Sequence, residues 1–166
     1  IFRRPDSMGT PLSKKPIEQP IHDLLNDYAD CLDSDRLHEW PALFLEDGRY
    51  FILSRENLDA GLDGGYWMYY TSQAMMRDRV TSLQHINKYN KYYCRHLITN
   101  IKINQQDDES FEVRSNFLLV QVNFEGKTDG VRAGEYRDKI VIFEDQLKFK
   151  EKFVVIDTFH SDTTLI

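Results

Sequence analysis

The feature that most constrains the fold is a series of four long β-rich segments, 92–104, 111–124, 131–143 and 147–159, parted only by short turn clusters. Strands joined this tightly pair as antiparallel hairpins and form a meander. At about 3.3 Å per residue each strand would extend some 40 Å, so the sheet has to bend strongly to enclose a core.

What it bends around precedes it in the chain. From Ile21 the apolar residues Leu24, Leu25, Tyr28, Ala29 and Leu32 recur at helical spacing, with Asp23, Asn26, Asp27 and Asp30 opposite. Ser34 or Asp35 is placed to cap a second, shorter helix with Leu37, Trp40, Leu43 and Phe44 on one side, limited by Pro41. Gly48 ends that unit, and 49–54 reads as a first strand. A glycine-rich loop over 57–65 leads to a third helix, capped by Ser72, that shares Met75, Met76, Arg79, Val80, Leu83 and Ile86 on one face. Helices followed by hairpin-linked strands predict an α+β domain: about three N-terminal helices packed on a strongly curved antiparallel sheet, a cone with an interior cavity. Residues 1–17, with Pro5, Gly9, Pro11 and Pro16 and no periodicity, read as an extended arm, and 18–166 as one cone-shaped domain.

A net charge of -6 argues against nucleic acid, whose binding needs a concentrated basic face. No apolar run approaches the roughly 20 residues that span a bilayer, so no membrane partner is expected and the chain reads as cytoplasmic. Cys31 and Cys94 stand far apart and read as two reduced thiols.

Cys94-Arg95-His96 matches half of a Rieske iron–sulfur signature, but the second half, Cys-x-x-His, does not occur in the chain. His22, His38, His85, His96 and His160 show no metal-ligand spacing, so no metal and no cofactor are assigned to this chain. Phosphate loops, dinucleotide fingerprints and nucleophile elbows are also absent. For acid–base chemistry His96 with Asp33 or Asp35 is the natural pair; the plainer reading makes His96 a satisfied core histidine and the aspartates helix caps.

Three strand patterns bear on partners. Within 134–139 alternation puts Glu135, Arg137 and Lys139 on one face and Tyr136 and Asp138 on the other, which calls for cross-strand ion pairing. Lys148, Lys150 and Lys152 suggest a solvated outer face, which Val154 and Ile156 then continue as apolar residues. Leu118, Val120, Val122 and Phe124 add a second apolar face to their own strand. A half-covered sheet needs one apolar face, so the second suggests burial against another chain.

Leu32 to Asp35, Trp40-Pro41 with Phe44, Asp47-Gly48 with Tyr50, Met76 with Asp78-Arg79-Val80, Arg95-His96 with Asn100, and Gly134-Glu135-Tyr136 with Asp138-Lys139 together resemble the small (β) subunit of aromatic-ring-hydroxylating dioxygenases. The similarity covers roughly residues 20–160, and the Trp-Pro pair and the 134–139 stretch are most similar to the terephthalate and benzoate branch. The resemblance implies a nuclear-transport-factor-2-like cone in a bacterial cytoplasmic oxygenase that adds O2 to an aromatic, carboxylated substrate. It implies a large (α) subunit carrying a Rieske 2Fe-2S cluster and a mononuclear Fe(II), an α3β3 hexamer, and NAD(P)H-derived electrons delivered by a reductase and sometimes a ferredoxin. This chain would have a structural, noncatalytic role. Two other readings stand beside it: a free-standing cone-fold dehydratase or isomerase with His96 as base and Asp33 orienting it, and a ligand-binding cone without chemistry.

Overall fold

Helix α1 (Glu18–Asp33) follows its apolar period, and Ile21, Leu25 and Tyr28 are wholly buried. The structure, a computed structural model, describes residues 16–61, 64–85 and 92–157. Most of the expected arm, Ile86, Phe159 and His160 lie outside the described residues.

The second helix does not form as expected. Asp35 turns the chain with a φ of 56°, and only a short 3-10 turn, Trp40–Leu43, follows, with Pro41 near its start. Proline lacks the N–H that a longer helix would need. Phe44 already opens strand β1 (Phe44–Ser54), which begins earlier than expected and carries a register irregularity between Phe44 and Arg49. A short helix α2 (Arg55–Asp59) is capped by the Ser54 hydroxyl, which accepts from the Asn57 N–H at 3.3 Å. Strand β2 (Met68–Tyr70) leads to α3 (Gln73–His85), where Ser72 Oγ accepts from the Met75 N–H at 3.4 Å. Met76 and Val80 are buried on α3, but Met75 is exposed, contrary to the face assigned from the sequence.

The meander is as expected: β3 (Tyr93–Gln105), β4 (Ser110–Val122), β5 (Thr128–Phe143) and β6 (Gln146–Ile156), each antiparallel to the next. The β5–β6 hairpin closes through Glu144 and Asp145, both at positive φ, the backbone that two-residue hairpin turns require. The sheet runs β2-β1-β6-β5-β4-β3. One pair departs from the antiparallel expectation, because β1 lies parallel to β6. That pairing places the N-terminal half beside the meander and leaves β3 as a long edge.

The concave side packs on α1 and α3. Tyr28 meets Phe149 and Tyr136 edge-on at 5.9 and 5.8 Å, and Tyr136 stacks on Phe117 at 4.4 Å. Trp40 closes on Tyr50 at 5.0 Å. Each such side chain contributes about 1.5–3 kcal/mol by leaving water.

A break in alternation on β6 corrects the lysine-face expectation. Ile140 pairs with Phe149 but Lys139 pairs with Glu151, so Lys150 is an extra, exposed residue on β6. Beyond this bulge every side chain changes face. Lys152, Val154 and Ile156 therefore point into the core, each no more than 1% exposed, and do not form a solvated or outer apolar face. Phe153 and Val155 point outward instead.

Candidate functional site

The expected acid–base pair exists, and Asp33 rather than Asp35 is its carboxylate. Asp33 is the last residue of α1, and His96 points inward from β3. His96 Nδ1 lies 2.5 Å from Asp33 Oδ1, while Asp33 Oδ2 accepts from the His96 backbone N–H at 2.8 Å. One carboxylate thus straps the end of the helix to an edge strand and selects the tautomer with its proton on Nδ1. Burial on its own would raise the Asp33 pKa, but the two hydrogen bonds from His96, assisted by its charge and that of Arg95, bring it below the ordinary carboxylate value. His96 Nε2 is buried and has no hydrogen-bond partner among the described residues. Tyr28 approaches the imidazole edge-on at 6.4 Å.

Sequence reasoning missed the centre of the cone. Lys152 Nζ lies 2.8 Å from Asp138 Oδ2, both side chains at 0% exposure, and stands 3.9, 4.2 and 4.7 Å from the ring centres of Tyr136, Tyr28 and Phe149. A cation caged by three aromatic faces and one carboxylate gains cation–π and charge–charge attraction in place of hydration. Burial raises the Asp138 pKa and lowers that of Lys152, and each partner opposes the shift of the other. Tyr28 and Tyr50 join their hydroxyls at 3.1 Å beside this cage, and burial holds both phenols protonated. These side chains belong to the buried core of the cone. The available signal was Asp138, which alternation set with Tyr136 on the face opposite Glu135, Arg137 and Lys139, without saying which of the two faces was the inner one.

On the outer face the expected ion pairing is present. Glu135 accepts from Arg137, from Arg114 at 3.3 Å and from Arg55 at 3.5 Å, and Arg55 also binds Asp157 at 2.8 Å. Desolvation opposes but does not cancel the arginine hydrogen bonds and charges that depress the Glu135 pKa. Glu151 pairs with Arg49 at 2.6 Å. Arg49 and Arg55, both on N-terminal elements, carried no sequence signal for these partners.

Cys94 and His96 share the inner side of β3 but have different partners: Gln121 Nε2 approaches Cys94 Sγ at 3.7 Å, and His96 is held by Asp33. Among the described residues no group of three or more His, Cys, Asp or Glu is placed to hold a metal ion. Also among them, no helix is long and apolar enough to cross a membrane.

The outer apolar residues divide into two regions. At the β1 end, Phe51 is covered by Tyr69 and Tyr66, with ring centres at 4.9 and 5.7 Å, and Tyr66 also reaches Phe153 at 6.4 Å. At the β3 end, Tyr93, Leu97, Leu118, Phe124 and Val131 are between 37% and 63% exposed.

The family profile described as "Ring hydroxylating beta subunit" matches residues 28–160. The anthranilate 1,2-dioxygenase small subunit of Burkholderia cepacia is 40% identical over 145 residues, covering 87% of this chain and 89% of the relative. Subunit beta 2 of the terminal oxygenase component of terephthalate 1,2-dioxygenase from a Comamonas species is 30% identical over 138 residues, covering 83% and 89%. The crystal structure of the β subunit of benzoate 1,2-dioxygenase from Burkholderia mallei superposes with a TM-score of 0.75 at 20% identity, over 92% of this chain and 99% of that one, a likeness of fold.

Proposed function

Because this chain belongs to the ring-hydroxylating dioxygenase β-subunit family, we propose that it acts within the oxygenase as a noncatalytic assembly subunit. The observation that carries this reading is the contrast between the two sides of its sheet. The concave side buries Tyr28, Tyr136, Phe149 and the Lys152–Asp138 pair, whereas the convex side leaves apolar residues in solvent. A packed interior provides rigidity, and an uncovered apolar face provides an attachment surface.

In this reading the large subunit bears the Rieske cluster and the mononuclear iron, and three copies of each subunit form the α3β3 hexamer in the bacterial cytoplasm. Electrons from NAD(P)H arrive through a reductase, with or without a ferredoxin. The substrate is an aromatic carboxylate, the class to which anthranilate and terephthalate in the relatives' names belong. The residues of this chain supply position rather than chemistry: Asp33 and His96 fix α1 on the edge strand, and the Lys152 cage fixes β5 and β6 on α1.

Co-expression with the large-subunit gene, followed by purification through a tag on this chain only, tests the proposal. An iron-containing, coloured complex of hexamer mass is the expected result. A colourless chain that recovers no large subunit overturns it. The His96–Asp33 geometry supports one other reading, a free-standing dehydratase or isomerase with His96 as base. That reading requires turnover by the isolated chain that His96→Ala abolishes.

A further inference from the structure

We propose that the outward side of β3, β4 and β5 is the face that docks on the large subunit, and that the surface it meets is apolar at its centre and acidic beside it. This rests on the assembly reading above.

The apolar part follows from strand register. Leu97 lies opposite Leu118, and Val120 opposite Val131, so these side chains form cross-strand rows on one face. Tyr93 and Phe124 extend the rows, meeting edge-on at 5.2 Å. At the opposite edge of the same convex face Tyr66 lies against Phe51 and Phe153, and Tyr69 against Phe51, with the two tyrosine rings themselves 36% and 53% exposed. No such cover lies over Leu97, Leu118 and Val131 among the described residues, and all three are at least 37% exposed.

The charge beside the rows identifies the partner's chemistry. Further along the same strands the outward positions are Lys102, Arg114, Arg137 and Lys139, with Glu112 and Glu135 between them, and Arg95 stands within the apolar rows. A groove of about 270 Å³ opens there, lined by Arg114, Arg137 and Lys139 and, in equal number, by Glu112, Asp138 and Glu151. With Glu151, which pairs with Lys139, counted beside Glu112 and Glu135, three carboxylates face the five cations Arg95, Lys102, Arg114, Arg137 and Lys139. The outward face therefore keeps a basic excess on a chain of net charge -6 and favours an acidic counterpart. Apolar centre and charged rim together form the anatomy of a specific protein interface.

The test uses co-expression with the large subunit and a tag on this chain. One variant is Leu97→Glu with Leu118→Glu, and a second is Lys102→Glu, all at exposed positions. Asp27→Lys, on the exposed side of α1, is the control. Each outer-face variant is expected to lower large-subunit recovery about tenfold while the chain alone melts as wild type does, with the control unaffected. Full recovery with both outer-face variants overturns the proposal while leaving the assembly reading intact. Recovery of the large subunit combined with loss of self-association by the isolated chain also overturns it, assigning the face to a second copy. Failure of the unmodified chain to recover any large subunit overturns the assembly reading and this proposal with it.

Discussion

Lys152 and Asp138 face each other across β6 and β5 with 2.8 Å between Nζ and Oδ2, and neither side chain reaches solvent. The pair is closed in by Tyr28, Tyr136 and Phe149, so loss of either partner leaves the other without its counter-charge in an aromatic core. Lys152→Met and Asp138→Leu are each expected to lower unfolding stability by about 3–5 kcal/mol, and the two combined to recover most of that loss. Urea titration of the three variants provides the measurement. A double variant as unstable as the sum of the singles would show that the two side chains act separately.

The Asp33 strap gives stability a defined pH dependence. Its folded pKa is depressed, so its contribution is fully present above the unfolded carboxylate value and is lost as pH falls through the folded one. The stability gap between wild type and Asp33→Asn is therefore expected to be constant around neutrality and to shrink on acidification below the ordinary carboxylate range. Denaturation midpoints of both proteins at a series of pH values measure the gap; one that widens in acid would contradict the assignment.

Gly134 is required by crowding. A methyl group there would lie 2.1 Å from the Val155 carbonyl oxygen and 2.7 Å from the Phe117 ring, where neither backbone nor a stacked ring has room to yield. Gly134→Ala is expected to destabilise by about 1–3 kcal/mol, the range for overpacking a filled core. Gly126→Ala, in a turn with no atom within 4 Å of the added carbon, tests backbone strain alone, since Gly126 has φ of 81°. Thermal melts of the two variants separate crowding from strain.

The thiols are expected to be slow to react. Burial pushes Cys31 up to about 12, and burial likewise raises Cys94 despite the hydrogen bond from Gln121, so little thiolate forms near neutral pH. Native protein should release far less chromophore from a disulfide reagent at pH 8 than the two equivalents per chain expected after unfolding. Immediate reaction of both thiols in the native state would rule out the burial described for α1 and β3.

Residue periodicity was enough to predict α1, α3 and the four-strand meander, because each buries one face and alternation or helical spacing records which. It also separated Tyr136 and Asp138 from Glu135, Arg137 and Lys139, though only the structure shows that the former pair faces inward, and it offered His96 a carboxylate at the end of α1. It failed at Lys152 for one local reason: the bulge at Lys150 inserts a single residue, and with a side-chain period of two, that residue reverses everything after it. Nothing in Lys148-Phe149-Lys150-Glu151-Lys152 distinguishes a bulged strand from a regular one.

The sequence by itself determined the α+β class, the antiparallel hairpins and the resemblance to ring-hydroxylating β subunits, all of which depend on local pattern or on residues close in the chain. The tertiary structure decided what depends on residues far apart. It set β1 parallel to β6, chose Asp33 over Asp35 for His96, brought Arg55 to Glu135 and Asp157, and enclosed Lys152 among rings from α1, β5 and β6. It also decided that Tyr66 and Tyr69 lie over Phe51 at the β1 edge, while Leu97, Leu118 and Val131 stay exposed toward the β3 edge. Such contacts arise only when the curvature of the whole sheet brings distant segments together, because short-range attraction and packing act on atoms in contact and not on neighbours in sequence.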